Sequence, residues 1–193
     1  MTLAPDPPAR PVIYELDAAN IIRSVDGPWD DFAQANADAP GGVPSCLSRN
    51  VIDQSVFAYI HDDRTRLFLT TVLDATRLLE RTREVAYRCD SPSEKRFMRM
   101  VVEPLPNRAL RLTHTLERTE TMTRPFTMRV DVPDPAGATR RCSVCNRIEV
   151  AEAWIEPDHD DTRGLPQPCP VAHTVCPVCA EVALGLSSDP PGA

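Results

Sequence analysis

Apolar and polar residues alternate through VIYEL (12–16), placing Val12, Tyr14 and Leu16 on one side, and a second short apolar run, IIRSV, follows the turn-prone DAAN. A period of two marks a half-buried strand, so the two runs predict a hairpin. Asp26, Gly27 and Pro28 then supply a helix start, with Asp26 or Gly27 as the cap and Pro28 in the first turn, where its missing N–H costs nothing. Trp29, Phe32, Ala33 and Asn36 share one face of the short helix predicted there, and ADAPGGVPS (37–45) reads as a loop. A further helical piece is expected over Arg49 to Ile60. His61, Asp62 and Asp63 open a longer helix, in which Leu69, Val72, Leu73, Thr76 and Leu79 recur at helical spacing.

Three alternating runs come next: EVAYRCD, RFMRMVVE and ALRLTHTLE, the last with Leu110, Leu112, His114 and Leu116 on one face. Two strands, several helices and three more strands predict an α+β fold, a five-stranded antiparallel sheet with its helices on one side. After His114 the pattern decays. The stretch 119–139 reads as a linker with an extended piece at Phe126 to Val132, 140–185 as a small cysteine module, and the proline-rich ends 1–11 and 186–193 as disordered.

The order of these elements, with the stretches YELDAANIIRSVDGPWDDFA, SVFAYIHDDRTRLFL and YRCDSPSEKRFMRMVVEPL, resembles a PAS sensor domain over residues 12–118. The resemblance implies a sensing or dimerising unit with an apolar pocket between sheet and helices. It leaves the pocket ligand unknown.

Composition narrows the function. The chain has 193 residues and a formal charge of −7, which argues against a general binder of nucleic-acid backbone. The charge is uneven: −6 over 1–80, +5 over 81–141 and −6 over 142–193, and Lys95 is the only lysine. The N-terminal residues lack the basic start and apolar run of a secretory signal, and no stretch approaches a membrane span, so a cytoplasmic protein with reduced thiols is expected.

The cysteines carry the chemistry. Cys142 and Cys145 in RRCSVC repeat the spacing of Cys176 and Cys179 in HTVCPVC, and a two-residue gap lets both sulfurs of a tight turn reach one ion. Cys142, Cys145, Cys176 and Cys179 are thus expected to be the ligands of a structural zinc, on which folding of the module depends. The layout CSVC, Trp154, HTVCPVC also resembles a cysteine-rich tail that follows PAS domains in bacterial signalling proteins, which implies the same role. His173 and Cys169 stand close enough in sequence to replace a ligand. A dithiol switch is the alternative, weakened because neither pair reads as the head of a helix in a βαβ unit.

Other chemistry finds less support. Cys89 reads as an inert core thiol, and Cys46 has no activating base. His61 and His114 raise haem, yet a lone histidine on a strand face is more often hydrogen-bonded core. Phosphate-binding glycine loops, nucleophile elbows and HExxH helices are absent, so no enzyme is expected. EPDHDDTRG reads as a solvated loop, and Asp90 and Glu94 as turn and surface residues. These readings predict a non-catalytic signalling protein that acts through a protein partner or its oligomer state, with a homodimer through the PAS sheet as the default. Arg140, Arg141 and Arg147 beside the first pair offer a weaker route to nucleic acid.

Overall fold

A computed structural model of the chain describes residues 10–35, 46–60, 62–130 and 138–183. The predicted loop 37–45, Asn36, His61, residues 1–9 of the lead-in and the tail 186–193 lie outside the described residues.

The predicted hairpin is present. Strands β1 (Val12–Leu16) and β2 (Ile22–Asp26) pair antiparallel around a turn in which the Asp17 carboxylate accepts from the N–H groups of Ala19 (2.8 Å) and Ile21 (3.0 Å). Gly27 then turns the chain at φ 78°, and a Cβ there would stand 2.1 Å from the carbonyl oxygen of Pro11, so only glycine fits. Helix α1 (Trp29–Ala35) follows.

The helical stretch expected over 49–60 is instead two short pieces, α2 (Ser48–Val51) and a 3-10 turn (Val56–Tyr59). Between them Asp53 adopts φ 64° and donates its N–H to Ile22, while Gln54 accepts from Ile22, which stitches the break to β2. These backbone bonds outcompete helix continuation. Helix α3 (Asp63–Leu79) starts as predicted, with Asp62 as the cap: its carboxylate accepts from Arg64 N–H (2.9 Å) and Thr65 N–H (3.1 Å).

Strands β3 (Arg83–Arg88), β4 (Glu94–Pro104) and β5 (Leu110–Thr121) complete an antiparallel sheet in the order β2-β1-β5-β4-β3. The last strand thus fills the centre, beside the first, and β3 is left as an edge. On the inner face Tyr14, Leu16, Val85, Met100, Val102, Leu110 and Leu112 pack against Val51, Val56, Leu69, Val72 and Leu73. The outer face carries cross-strand ion pairs, Glu15 with Arg111 (2.8 Å) and Arg99 with Glu84 (2.9 Å), whose exposure makes each worth little.

A second sheet follows, built from β6 (Met128–Val130), β7 (Thr139–Cys142), β8 (Ile148–Val150), β9 (Ala153–Ile155) and β10 (Cys169–Thr174), in the order β6-β10-β7-β8-β9. Strand β6 falls within the extended piece expected at Phe126 to Val132. Strand β10 runs parallel to both neighbours. Helix α4 (Pro177–Ala183) closes the described chain. Among the described residues, no helix is long and apolar enough to cross a membrane.

Candidate metal centre and adjoining cavity

Cys142 ends β7 and Cys145 lies in the turn after it; Cys176 follows β10 by two residues and Cys179 lies in α4. Because β7 and β10 are parallel, with Thr174 opposite Cys142, both pairs leave the sheet at the same end despite the long insert between them. The four sulfurs lie within 4.8 Å of one another and all four residues are buried. They are placed to share one metal ion.

The first turn is shaped for thiolate. Val144 and Cys176 each donate a backbone N–H to Cys142 Sγ at 3.4 Å. Asn146, at φ 59°, closes the turn by donating its N–H to the Cys142 carbonyl (3.0 Å). Without a cation the four thiols cannot all ionise. Hydrogen bonds from Cys145, Cys176 and Cys179 favour a thiolate at Cys142 and push its pKa down, whereas Cys179, held first by Cys142, is pushed up. A divalent ion would remove that opposition.

Three sequence expectations need correction here. The second pair was not expected to head a helix in a βαβ unit, and it meets the helix part alone: α4 begins at Pro177, directly after Cys176, because proline suits the first helical position. No strand follows α4 among the described residues, so the βαβ setting of a redox dithiol is still missing. Cys169 belongs to a different core, with Phe126, Ile148 and Val171, and its Sγ contacts Thr139 Oγ1 at 3.6 Å. His173 turns its Nδ1 to Ser143 Oγ (3.1 Å), which in turn meets Thr65 Oγ1 of α3 at 2.8 Å. The cluster is therefore the four cysteines, and His173 stands beside it as a link, through Ser143, to α3.

The third correction concerns the acidic insert and Asp90. Asp158 is buried and Glu156 half-buried, and the Asp90 side chain is enclosed where a surface turn residue was expected. Asp90 holds Arg88 with both oxygens (3.1 and 2.5 Å), Arg88 also reaches Glu156 (2.6 Å), and Arg147 donates to Glu156 (3.0 Å). Lys95, the only lysine, bonds Asp158 at 2.9 Å and faces Glu156 at 3.4 Å. Three cations and three carboxylates thus balance across the junction of the sheets. Burial alone would raise Glu156 and Asp158, but Arg88 and Lys95 respectively hold each below the usual carboxylate range. Asp160 and Asp161 remain exposed, as expected of that loop. Arg140 pairs with Glu149 and the half-buried Arg141 donates to Asn146 (2.7 Å), so the arginines flanking the first cysteine pair are engaged within the protein.

The module seats on the exposed edge of the first sheet. Arg88 at the end of β3 donates its N–H to the Val144 carbonyl (2.8 Å), and Phe68, Tyr87 and Trp154 pack against the buried cluster formed by the four cysteines with Val144 and Val175. Tyr87 also lines a cavity of about 730 Å³ between the first sheet and its helices. Tyr14, Trp29, Tyr59, Cys46, Cys89 and His114 line it as well. Cys89 therefore faces the cavity, and burial pushes its thiol up, which keeps it protonated. Trp29 is fixed by donating Nε1–H to the Cys46 carbonyl at 2.7 Å.

His114 bonds Tyr87 Oη through Nδ1 at 2.8 Å, and its enclosed Nε2 has no partner. If the tyrosine donates, only the Nε2–H is left unsatisfied; the reverse arrangement strands the tyrosine proton as well, so the Nε2–H tautomer is favoured. Desolvation lowers the pKa from 6.5 to about 4. The unfolded chain then binds more protons than the folded one between those values. Stability is full above pH 6.5 and falls by roughly 3 kcal/mol as pH drops to about 4. The variant His114→Gln, which cannot titrate, is expected to lack this loss when urea midpoints are compared from pH 7 to pH 4; parallel curves for both proteins would exclude it.

Comparison with protein-family models and with curated proteins finds no match for this chain.

Proposed function

We propose that the protein is a non-catalytic regulatory protein in which a PAS-like sensor domain is joined to a structural zinc module. The gathering of four buried thiols within 4.8 Å is the observation that carries the zinc assignment. Four soft sulfur donors at tetrahedral reach favour zinc over harder cations, and a set that leaves no ligand position open favours a structural over a catalytic ion. The sheet order β2-β1-β5-β4-β3 and the cavity beneath its helices support the sensor reading. Output passes to a protein partner or to the oligomer state. The internally paired Arg140, Arg141 and Arg147 leave little basic surface for nucleic acid.

Elemental analysis of protein purified without chelator tests this directly, with about one zinc per chain expected. Removal by a strong chelator is expected to unfold 140–183 first, seen as a shift in the emission of Trp154, which packs on the buried cluster holding the four cysteines. A metal-free protein with an intact tail would overturn the assignment. One observation favours a second reading, a thiol switch: Cys145 and Cys176, from different pairs, hold their sulfurs 3.8 Å apart. That reading requires mild peroxide to link these two and eject the metal.

A further inference from the structure

The ring side chains of the cavity form a continuous series that ends on the buried cluster holding the four cysteines. Tyr87 packs against the thiol cluster and binds His114 through its hydroxyl; the two rings meet edge to face at 5.6 Å. His114 stacks on Tyr14 at 5.3 Å with only 15° between planes, and Tyr14 meets Trp29 edge to face at 5.6 Å. Tyr59 completes the lining, so all three tyrosines of the chain face one space. Rings set at right angles frame a flat guest, and aromatic walls favour a planar ring system. Arg10 and Arg96 also line the cavity against one carboxylate, Asp31, and among the described residues the Arg96 guanidinium has no closer carboxylate than Glu94 at 3.7 Å, an excess of positive charge that suits an anionic substituent on the guest.

We propose that this cavity binds a planar aromatic molecule bearing an acidic group, and that metal at the four cysteines and this guest bind cooperatively, because Tyr87 belongs to both sites. The proposal rests on the metal assignment above. Metal holds the Cys142–Cys145 turn against the end of β3, where Val144 accepts from Arg88, and so holds the Tyr87 wall of the cavity in place. Loss of metal frees that turn and loosens the wall. A guest that needs the wall must then bind the metal-loaded protein more tightly, and by linkage must tighten metal binding by the same factor.

The probe is 1-anilinonaphthalene-8-sulfonate, which joins a planar naphthalene ring system to an anionic sulfonate. Zinc-loaded full-length protein is expected to show one saturable site by fluorescence titration. Affinity should fall at least tenfold after chelation and return when zinc is restored, within the usual range of coupling between sites. Ala33→Trp, which fills the cavity from α1, should abolish the saturable site while leaving zinc content unchanged. Tyr87→Leu should keep the metal but bring the affinity ratio toward one. Equal affinity with and without zinc, no saturable site in the loaded protein, or an Ala33→Trp variant that binds normally would each overturn the proposal. A protein that takes up no zinc fails the metal assignment and this inference together; one that takes up zinc yet binds the probe indifferently fails only this inference.

Discussion

Cys142→Ser is expected to empty the metal centre and open the C-terminal module while the first sheet stays folded. Cys142 is the sulfur on which the site converges: it is fully buried, receives two backbone N–H groups and lies within reach of the other three thiols. A hydroxyl is a shorter, harder ligand that does not ionise near neutral pH, so the ion would be left with three thiolates. Structural zinc contributes about 10–16 kcal/mol in small metal-dependent folds, more than a module of short strands could supply by burial alone. Metal content should fall from about one per chain to near zero, and protease should cut within 140–183 before it cuts the first sheet. Cys169→Ser is the control. It lies in the neighbouring apolar core, so it should cost stability there and leave metal content intact. Equal metal loss in both variants would mean that the thiols matter for packing and not for ligation.

The first sheet was legible because its strands are long and alternate, and α3 because its cap and apolar stripe agree. Asp62 accepts two backbone N–H groups just ahead of the residues where the helical apolar stripe begins. The grouping of the four cysteines was legible for a different reason: a two-residue gap between cysteines is a geometric requirement that survives any surrounding fold. What escaped is equally physical. Strands of three residues such as β6, β8 and β9 are too short to show a period, and they exist because a neighbour pairs with them. The break at Asp53 depends on backbone bonds to Ile22, thirty-one residues earlier than that position, which no local pattern records. Glu156 and Asp158 sit in an acidic run whose composition is that of a solvated loop. Only the arrival of Arg88 and Lys95 from the other sheet gives them partners at a partly buried junction.

That ionic junction sets the second large effect, an expected loss of about 3–5 kcal/mol in Arg88→Met. The Arg88 side chain is 5 % exposed and that of Asp90 is 2 % exposed, so removing the guanidinium strands a carboxylate where water cannot replace the partner. Methionine keeps the apolar stem and its packing near Phe97, which isolates the charge from the volume. The backbone bond from Arg88 to Val144 survives the substitution, so the metal turn should stay anchored and zinc content should not change. For a chain of this size the loss corresponds to a midpoint lower by about 10 °C. Its pH dependence distinguishes charge from packing. Glu156 is held below its ordinary range partly by Arg88, so its contribution is present above that range and is lost as pH falls through the folded value. The variant has less of this to lose, and the gap between the two proteins should narrow below about pH 4. Adding Asp90→Asn to Arg88→Met should recover part of the stability at pH 7, because the stranded charge is gone and the amide can still accept the Arg96 N–H that Asp90 accepts at 3.1 Å. A gap that stays constant with pH and is not relieved by the asparagine would assign the loss to packing, and would make the three cations and three carboxylates a filled space with no electrostatic part in holding the two sheets together.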